Sequence, residues 1–218
     1  MAISAILGGA ALLSTAIGST YTDPVGDIAT GNANLDIVSV EVVDDGWDVE
    51  ISLTVSDLDG DWGKYMVFFD YTAGGSGDND NPWIRDVAGL EGMDLFLGSW
   101  ADGGGGAAMN AHNGSGWGDS DIGVTTQINW EGDTITWRLA GFMNELANSG
   151  AAGFSFEIAT TGGNQGDPAI DLLGGEDTQP GWGQGSTSTD QAFYAIPAPG
   201  ALALLGLAGL AGRRRRRH

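Results

Sequence analysis

The middle of the chain alternates between apolar and polar positions. From Trp47 to Val55, Trp47, Val49, Ile51, Leu53 and Val55 occupy every second place, with Asp48, Glu50, Ser52 and Thr54 between them. A period of two is that of a half-buried β-strand. Leu35–Val43 is its expected partner, and Asp44-Asp45-Gly46 supplies the hairpin turn. A second hairpin is predicted from Val124–Trp130 and Thr134–Leu139 around Glu131-Gly132-Asp133, with Ile135, Trp137 and Leu139 on one face. Further strands are predicted at Lys64–Tyr71, Met93–Trp100, Phe154–Thr161 and Gln191–Ile196, and a turn or two of helix at Phe142–Ala147. Many short strands separated by turn signals predict an all-β domain over residues 21–195. The expected architecture is an antiparallel, jelly-roll-like β-sandwich with one short helix. No internal repeat is visible, which disfavours a solenoid or propeller.

The two ends read differently. Ile3–Ile17 is apolar and Gly18-Ser19-Thr20 is small, the pattern of a secretory leader over residues 1–18, although no Lys or Arg precedes the apolar run. The other end runs through Pro197-Ala198-Pro199, a Leu/Ala/Gly stretch and then Arg213, Arg214, Arg215, Arg216 and Arg217. Ile196–Gly212 is 17 residues long. As a helix that is about 26 Å, at the lower limit for a bilayer core of about 30 Å. Each arginine costs about 2.5–3.5 kcal/mol at the bilayer centre, which predicts a cytoplasmic tail and an external domain.

This ending resembles the PEP-CTERM sorting signal of exopolysaccharide-producing Gram-negative bacteria. There a Pro-Glu-Pro motif precedes a short apolar helix and an arginine-rich terminus. One position departs, Ala198 standing where the family has Glu. The resemblance covers residues 196–218. It implies export across the inner membrane, transient anchoring by the C-terminal apolar helix, an exosortase-type sorting enzyme as partner, and a final place at the cell surface or in the extracellular matrix.

Charge narrows the domain's partners. The whole chain carries −21, but five of its eight cations are the terminal arginines. The rest sets Lys64, Arg85 and Arg138 against 29 acids, a net charge of −26, which excludes nucleic-acid binding. Asp outnumbers Glu by 22 to 7, as turn and ligand positions favour. Two causes of this bias stay open: calcium binding, and solubility in a salty medium. With no cysteine, disulfides and thiolate chemistry are ruled out.

Long glycine-rich stretches at Ala73–Asn81, Asp102–Ala108, Asn113–Gly118, Gly162–Gly166 and Gly174–Gly185 punctuate the strands. They hold the candidate binding residues. Of eight tryptophans, Trp47, Trp130 and Trp137 fall in predicted strands, where packing is the expected role. Trp83, Trp117 and Trp182 fall in the loops, where an indole face serves either as a platform for a sugar ring or as a pin for its own loop. Calcium candidates are Asp57, Asp59 and Asp61, spaced as in a calcium loop, then Asp78 and Asp80, and Asp23 with Asp27. The first run is not an EF-hand, because Trp62 and Phe68 replace its Gly and Glu. The alternative for every set is a group of solvated turn acids.

The opening Asp23-Pro24-Val25-Gly26-Asp27, then Leu35-Asp36-Ile37, Trp62-Gly63-Lys64-Tyr65 leading to Phe69-Asp70, and Asp167-Pro168-Ala169-Ile170-Asp171 resemble extracellular β-sandwich domains. That group is similar to family 9 carbohydrate-binding modules and DOMON-like domains. The resemblance implies a sandwich and sugar binding. Catalysis finds little support: outside the tail His112 is the sole histidine, and Ser115 nearby lacks a nucleophile-elbow context. The expectation is a non-catalytic polysaccharide-binding or matrix-associated module. Its rival is a structural acidic surface protein stabilised by calcium.

Overall fold

The computed structural model describes residues 17–60, 62–175 and 181–196. Most of the proposed leader, Asp61 and the sorting signal Pro197–Arg217 lie outside them. Among the described residues no helix is long and apolar enough to cross a membrane.

The chain is mostly β, with one α-helix. Its strands are β1 (Ile17–Thr22), β2 (Ile37–Asp44), β3 (Val49–Val55), β4 (Lys64–Asp70), β5 (Val87–Ala88), β6 (Leu95–Trp100), β7 (Gly106–His112) and β8 (Trp117–Asp119). There follow β9 (Gly123–Asn129), β10 (Thr134–Ala140), helix α1 (Phe142–Ser149), β11 (Gly153–Thr161), β12 (Ala169–Leu172), β13 (Ser186–Thr187) and β14 (Ala192–Ala195). One sheet runs β1-β2-β3-β10-β9. The other runs β12-β11-β4-β6-β7-β8, with β14 also paired to β11. Every pair in both sheets is antiparallel, whereas the small β13–β5 pair is parallel.

The alternation does the folding. Val49, Ile51, Leu53 and Val55 are buried, and the polar residues between them are half-exposed. The largest core cluster takes Val40, Val42, Ile51 and Trp137 from the first sheet and Val67, Phe69, Leu97, Phe154 and Phe156 from the second. Trp137 is fully buried, and its Nε1 donates to Ser99 Oγ across the two sheets at 2.8 Å, so its one polar atom is satisfied. Helix α1 buries Phe142, Met143 and Leu146 against that core.

Several expectations are corrected. Trp47 is 59% exposed, because Asp44 pairs with Val49 and residues 45–48 become the turn, held by Asp45 Oδ1 accepting from the Trp47 and Asp48 N–H groups. Trp130 is 45% exposed in a 3-10 turn after β9, not packed within a strand. Part of the glycine-rich stretch at 102–108 belongs to β7, where small residues pair closely with β6. Strand β1 begins at Ile17, inside the segment read as a leader.

Register positions the loops that matter below. Lys64 pairs with both Thr161 and Trp100, so the start of β4, the end of β11 and the end of β6 meet at one end of the second sheet. The 56–63 and 162–168 connections therefore emerge side by side.

Candidate functional site

At that end Trp62 and Trp182 pack against each other and together line a cleft of about 480 Å3. Their rings lie 6.1 Å apart, tilted by 43°, and are 37% and 44% exposed. The walls are completed by Asn32, Asn164 and Asp167, with Gly162 at the floor. A Cβ on Gly162 would lie 2.2 Å from Asp167 Oδ2 and 2.8 Å from the Trp182 ring, so both side chains close directly on this glycine and a side chain there would displace them. Asp167 Oδ2 accepts from the Asn164 N–H at 2.8 Å, closing the loop on itself. Two partly exposed indoles with amide and carboxylate groups beside them suit a ligand having apolar faces and hydroxyl edges.

Two further clefts adjoin the first. One, of about 340 Å3, shares Gly163 and is lined by Lys64, Pro82, Trp83, Arg85 and Trp100. The other, of about 240 Å3, shares Asn32 and Trp62 and includes Asn34, Asp57 and Asp59. Arg85 joins the walls together. It is only 7% exposed, its guanidinium donates to the carbonyls of Asn164, Gly162 and Asp167, and it lies 5.9 Å from the Trp83 ring centre. Burial lowers its pKa, opposed by the nearby Asp167 charge. Lys64 is likewise engaged, with Nζ 2.9 Å from Asp102 and 3.2 Å from the Trp62 carbonyl. The groove thus contains cations already engaged by protein oxygens through Lys64 Nζ and the two Arg85 NH groups, while Arg85 Nε is buried without a partner.

A second centre lies at the base of the loop that carries Asn32 and Asn34. Carboxylate oxygens of Asp23, Asp27 and Asp171 fall within 4.8 Å of one another. Asp23 follows β1, Asp27 follows the Asp-Pro-Val-Gly turn, and Asp171 sits in β12, where it is fully buried between Ile170 and Leu172. Asp171 Oδ2 accepts from the Ile37 N–H at 2.6 Å and Oδ1 from the Leu172 N–H at 2.9 Å. Asp23 Oδ2 is buried with no hydrogen-bond partner. Burial, and then the charges of Asp27, Glu157 and Asp36, push Asp23 up to about 8. Burial chiefly pushes Asp171 to about 8 as well; the Ile37 N–H opposes this, and Asp23 and Asp27 add to it. Three crowded carboxylates either keep protons or hold a cation. An all-oxygen set fits a hard ion such as calcium, which accepts ligands from separate loops.

The expected site residues thus divide. Trp182 and Trp83 line adjoining clefts, Trp83 resting edge-on against Phe96 over Gly98, where a Cβ would meet its ring at 2.2 Å. Trp117 lines neither. It is half-buried against Phe96 and His112, and its Nε1 donates to the Asp80 carbonyl at 3.3 Å, so it pins two loops together. Asp23 and Asp27 converge, joined by Asp171, and form the one group of three acidic ligands among the described residues. Asp57 and Asp59 line the groove, and Asp57 Oδ1 accepts from the Asp59 N–H. Asp78 instead caps a loop, accepting from the Gly89 and Leu90 N–H groups, and neither it nor Asp80 belongs to a ligand cluster.

Trp62, Asn34 and Asp171 were not singled out from the sequence. Trp62 counted there as the residue that spoils an EF-hand and as part of the Trp62-Gly63-Lys64-Tyr65 motif, not as a ligand platform, although a tryptophan between turn glycines is itself a loop-platform signal. Asp171 gave a readable sign as well, a lone carboxylate inside an apolar strand. No family model matches the chain, and no curated protein matches its sequence.

Proposed function

We propose that this chain is an exported, non-catalytic polysaccharide-binding module. Its domain is a jelly-roll-like β-sandwich, and its Pro197–Arg217 tail is the sorting and anchoring signal for an exosortase-type enzyme. The tilted pair Trp62 and Trp182, with Asn32, Asn164 and Asp167 around them, carries the reading. A sugar ring lays its C–H face on an indole and offers hydroxyls to amides and carboxylates at its rim. Among the described residues Asp167 is the acid that lines this cleft, and its Oδ2 accepts from the Asn164 N–H. Affinity electrophoresis through the exporting cell's own polysaccharide tests the proposal. Retarded migration is expected, and it is expected to be lost in Trp182→Ala; equal migration of the two proteins, with or without the polysaccharide, would reject it.

The acidic triad favours a second reading, a structural surface protein whose role is to hold calcium in the matrix. Asp23, Asp27 and Asp171 would bind the ion and tie the 23–36 loop to β12. Calcium-dependent self-association without glycan retention would put this reading first. A calcium-stabilised glycan binder would show both a thermal shift and retention.

A further inference from the structure

We infer that the three adjoining clefts act as one groove for an internal segment of a linear, uncharged polysaccharide, with Asn34 reading ring hydroxyls at its far subsite. This rests on the glycan-binding reading above. The clefts share walls: Gly163 separates the first from the second, and Asn32 and Trp62 separate the second from the third. A ligand on the Trp62–Trp182 pair therefore continues without a break toward Trp83 on one side and Asn34 on the other. The third cleft has its own sign of a missing partner. Asn34 is only 6% exposed, its carbonyl accepts from Tyr65 Oη, and its side-chain Nδ2 is buried without an acceptor. A buried amide donor left unpaired is costly, and a hydroxyl oxygen entering the cleft would satisfy it. The exposed Asp57 and Asp59 carboxylates in the same cleft accept hydroxyl protons. One donor beside two acceptors matches neighbouring hydroxyls of a sugar ring, each of which both gives and takes a hydrogen bond.

Charge selects the class of glycan. Lys64 and Arg85 are engaged by protein oxygens, while Asp57, Asp59 and Asp167 line the groove of a strongly acidic domain. A polyuronate would meet like charge along its length, and a neutral polymer would not.

The test is a binding array with the full chain, using neutral gluco-, manno- and galacto-oligosaccharides graded from monosaccharide to hexasaccharide, with oligo-uronates alongside. Affinity for one neutral series is expected to rise about tenfold or more beyond the disaccharide, as extra rings and hydroxyls engage. Asn34→Ala is expected to erase that gain while keeping disaccharide binding, and Trp182→Ala to remove both. The exposed Asp59→Ala addresses the same cleft should Asn34→Ala fail to fold. Affinity independent of length, a preference for uronates, or an undiminished gain in both Asn34→Ala and Asp59→Ala would overturn this inference and leave simple glycan binding standing. Retention of no glycan at any length would overturn the underlying reading too.

Discussion

The aromatic groove and the acidic triad draw residues from one loop, 23–36, and solve different problems. The groove's central wall is already tied by protein contacts: the Arg85 guanidinium donates to the carbonyls of Gly162, Asn164 and Asp167, and Trp83 rests directly on Gly98. The triad is unfinished. It gathers three carboxylates, buries one of them completely, and leaves Asp23 Oδ2 without a donor. The difference separates affinity from integrity. On the proposed reading, groove contacts would set how well a ligand binds, whereas the triad would make the stability of the supporting loop depend on an ion or a proton.

The largest effect expected is therefore on stability. Calcium at about a hundred times its Kd would add about 2.7 kcal/mol, or roughly 5–10 °C in a domain of this size. Differential scanning fluorimetry with calcium and with EDTA measures it. An unchanged Tm would dismiss a structural ion and with it the calcium-matrix reading. Asp23→Asn is expected to abolish the calcium response, yet to melt above the parent protein in EDTA near pH 8, because it removes an uncompensated charge. Next comes Trp182→Ala, which removes a central aromatic contact at a cost of about 2 kcal/mol, about thirtyfold in Kd for a bound glycan, with little change in Tm. Titration calorimetry separates it from Asp23→Asn. If the two variants swapped phenotypes, the division between the two regions would collapse.

Gly98→Ala should follow, costing about 1–3 kcal/mol as the new methyl displaces the Trp83 ring. Chemical denaturation would show it as a lowered midpoint at constant m-value. A further effect is on pH. Asp23 and Asp171 have folded-state values near 8, above the usual carboxylate range, so the native state holds extra protons between about pH 4 and 8. Their contribution is complete below the unfolded value and is lost as pH rises through the folded one. Partial exposure of Asp23 screens it. In EDTA, Tm is expected to fall from pH 5 toward about pH 8.5, and saturating calcium to flatten or reverse that slope. A Tm rising with pH in EDTA would contradict the triad's assigned charge state.

Much of this fold was legible because its strands obey a period of two. The Val49–Val55 strand, its partner and the hairpin around residues 131–133 occur where alternation places them. Trp47 was misplaced because it continues the alternation one step beyond the point where pairing with Asp44 ends. The short strands β5, β8 and β13 carry too few residues to show a period. The candidate site was half legible. Composition flagged Trp182 and Trp83, and motif reading flagged Asp23 and Asp27. Their assembly was not readable, since it depends on Lys64 pairing with both Thr161 and Trp100, and on β12 bringing Asp171 beneath a loop more than a hundred residues away. Trp117 shows the converse: read as a loop tryptophan with the same sequence surroundings as Trp182, it instead opens strand β8, paired with His112, and is committed to Phe96, His112 and the Asp80 carbonyl.

The central claim is that the Trp62–Trp182 cleft binds glycan while the triad only supports it. The most direct measurement compares retention of the intact chain, Trp62→Ala/Trp182→Ala and Asp23→Asn on the host cell's own extracellular polysaccharide, each in calcium. The account predicts saturable retention of the intact chain, none for the tryptophan double variant despite an unchanged calcium shift in Tm, and weakened retention for Asp23→Asn. Equal retention of the double variant and the intact chain would contradict it.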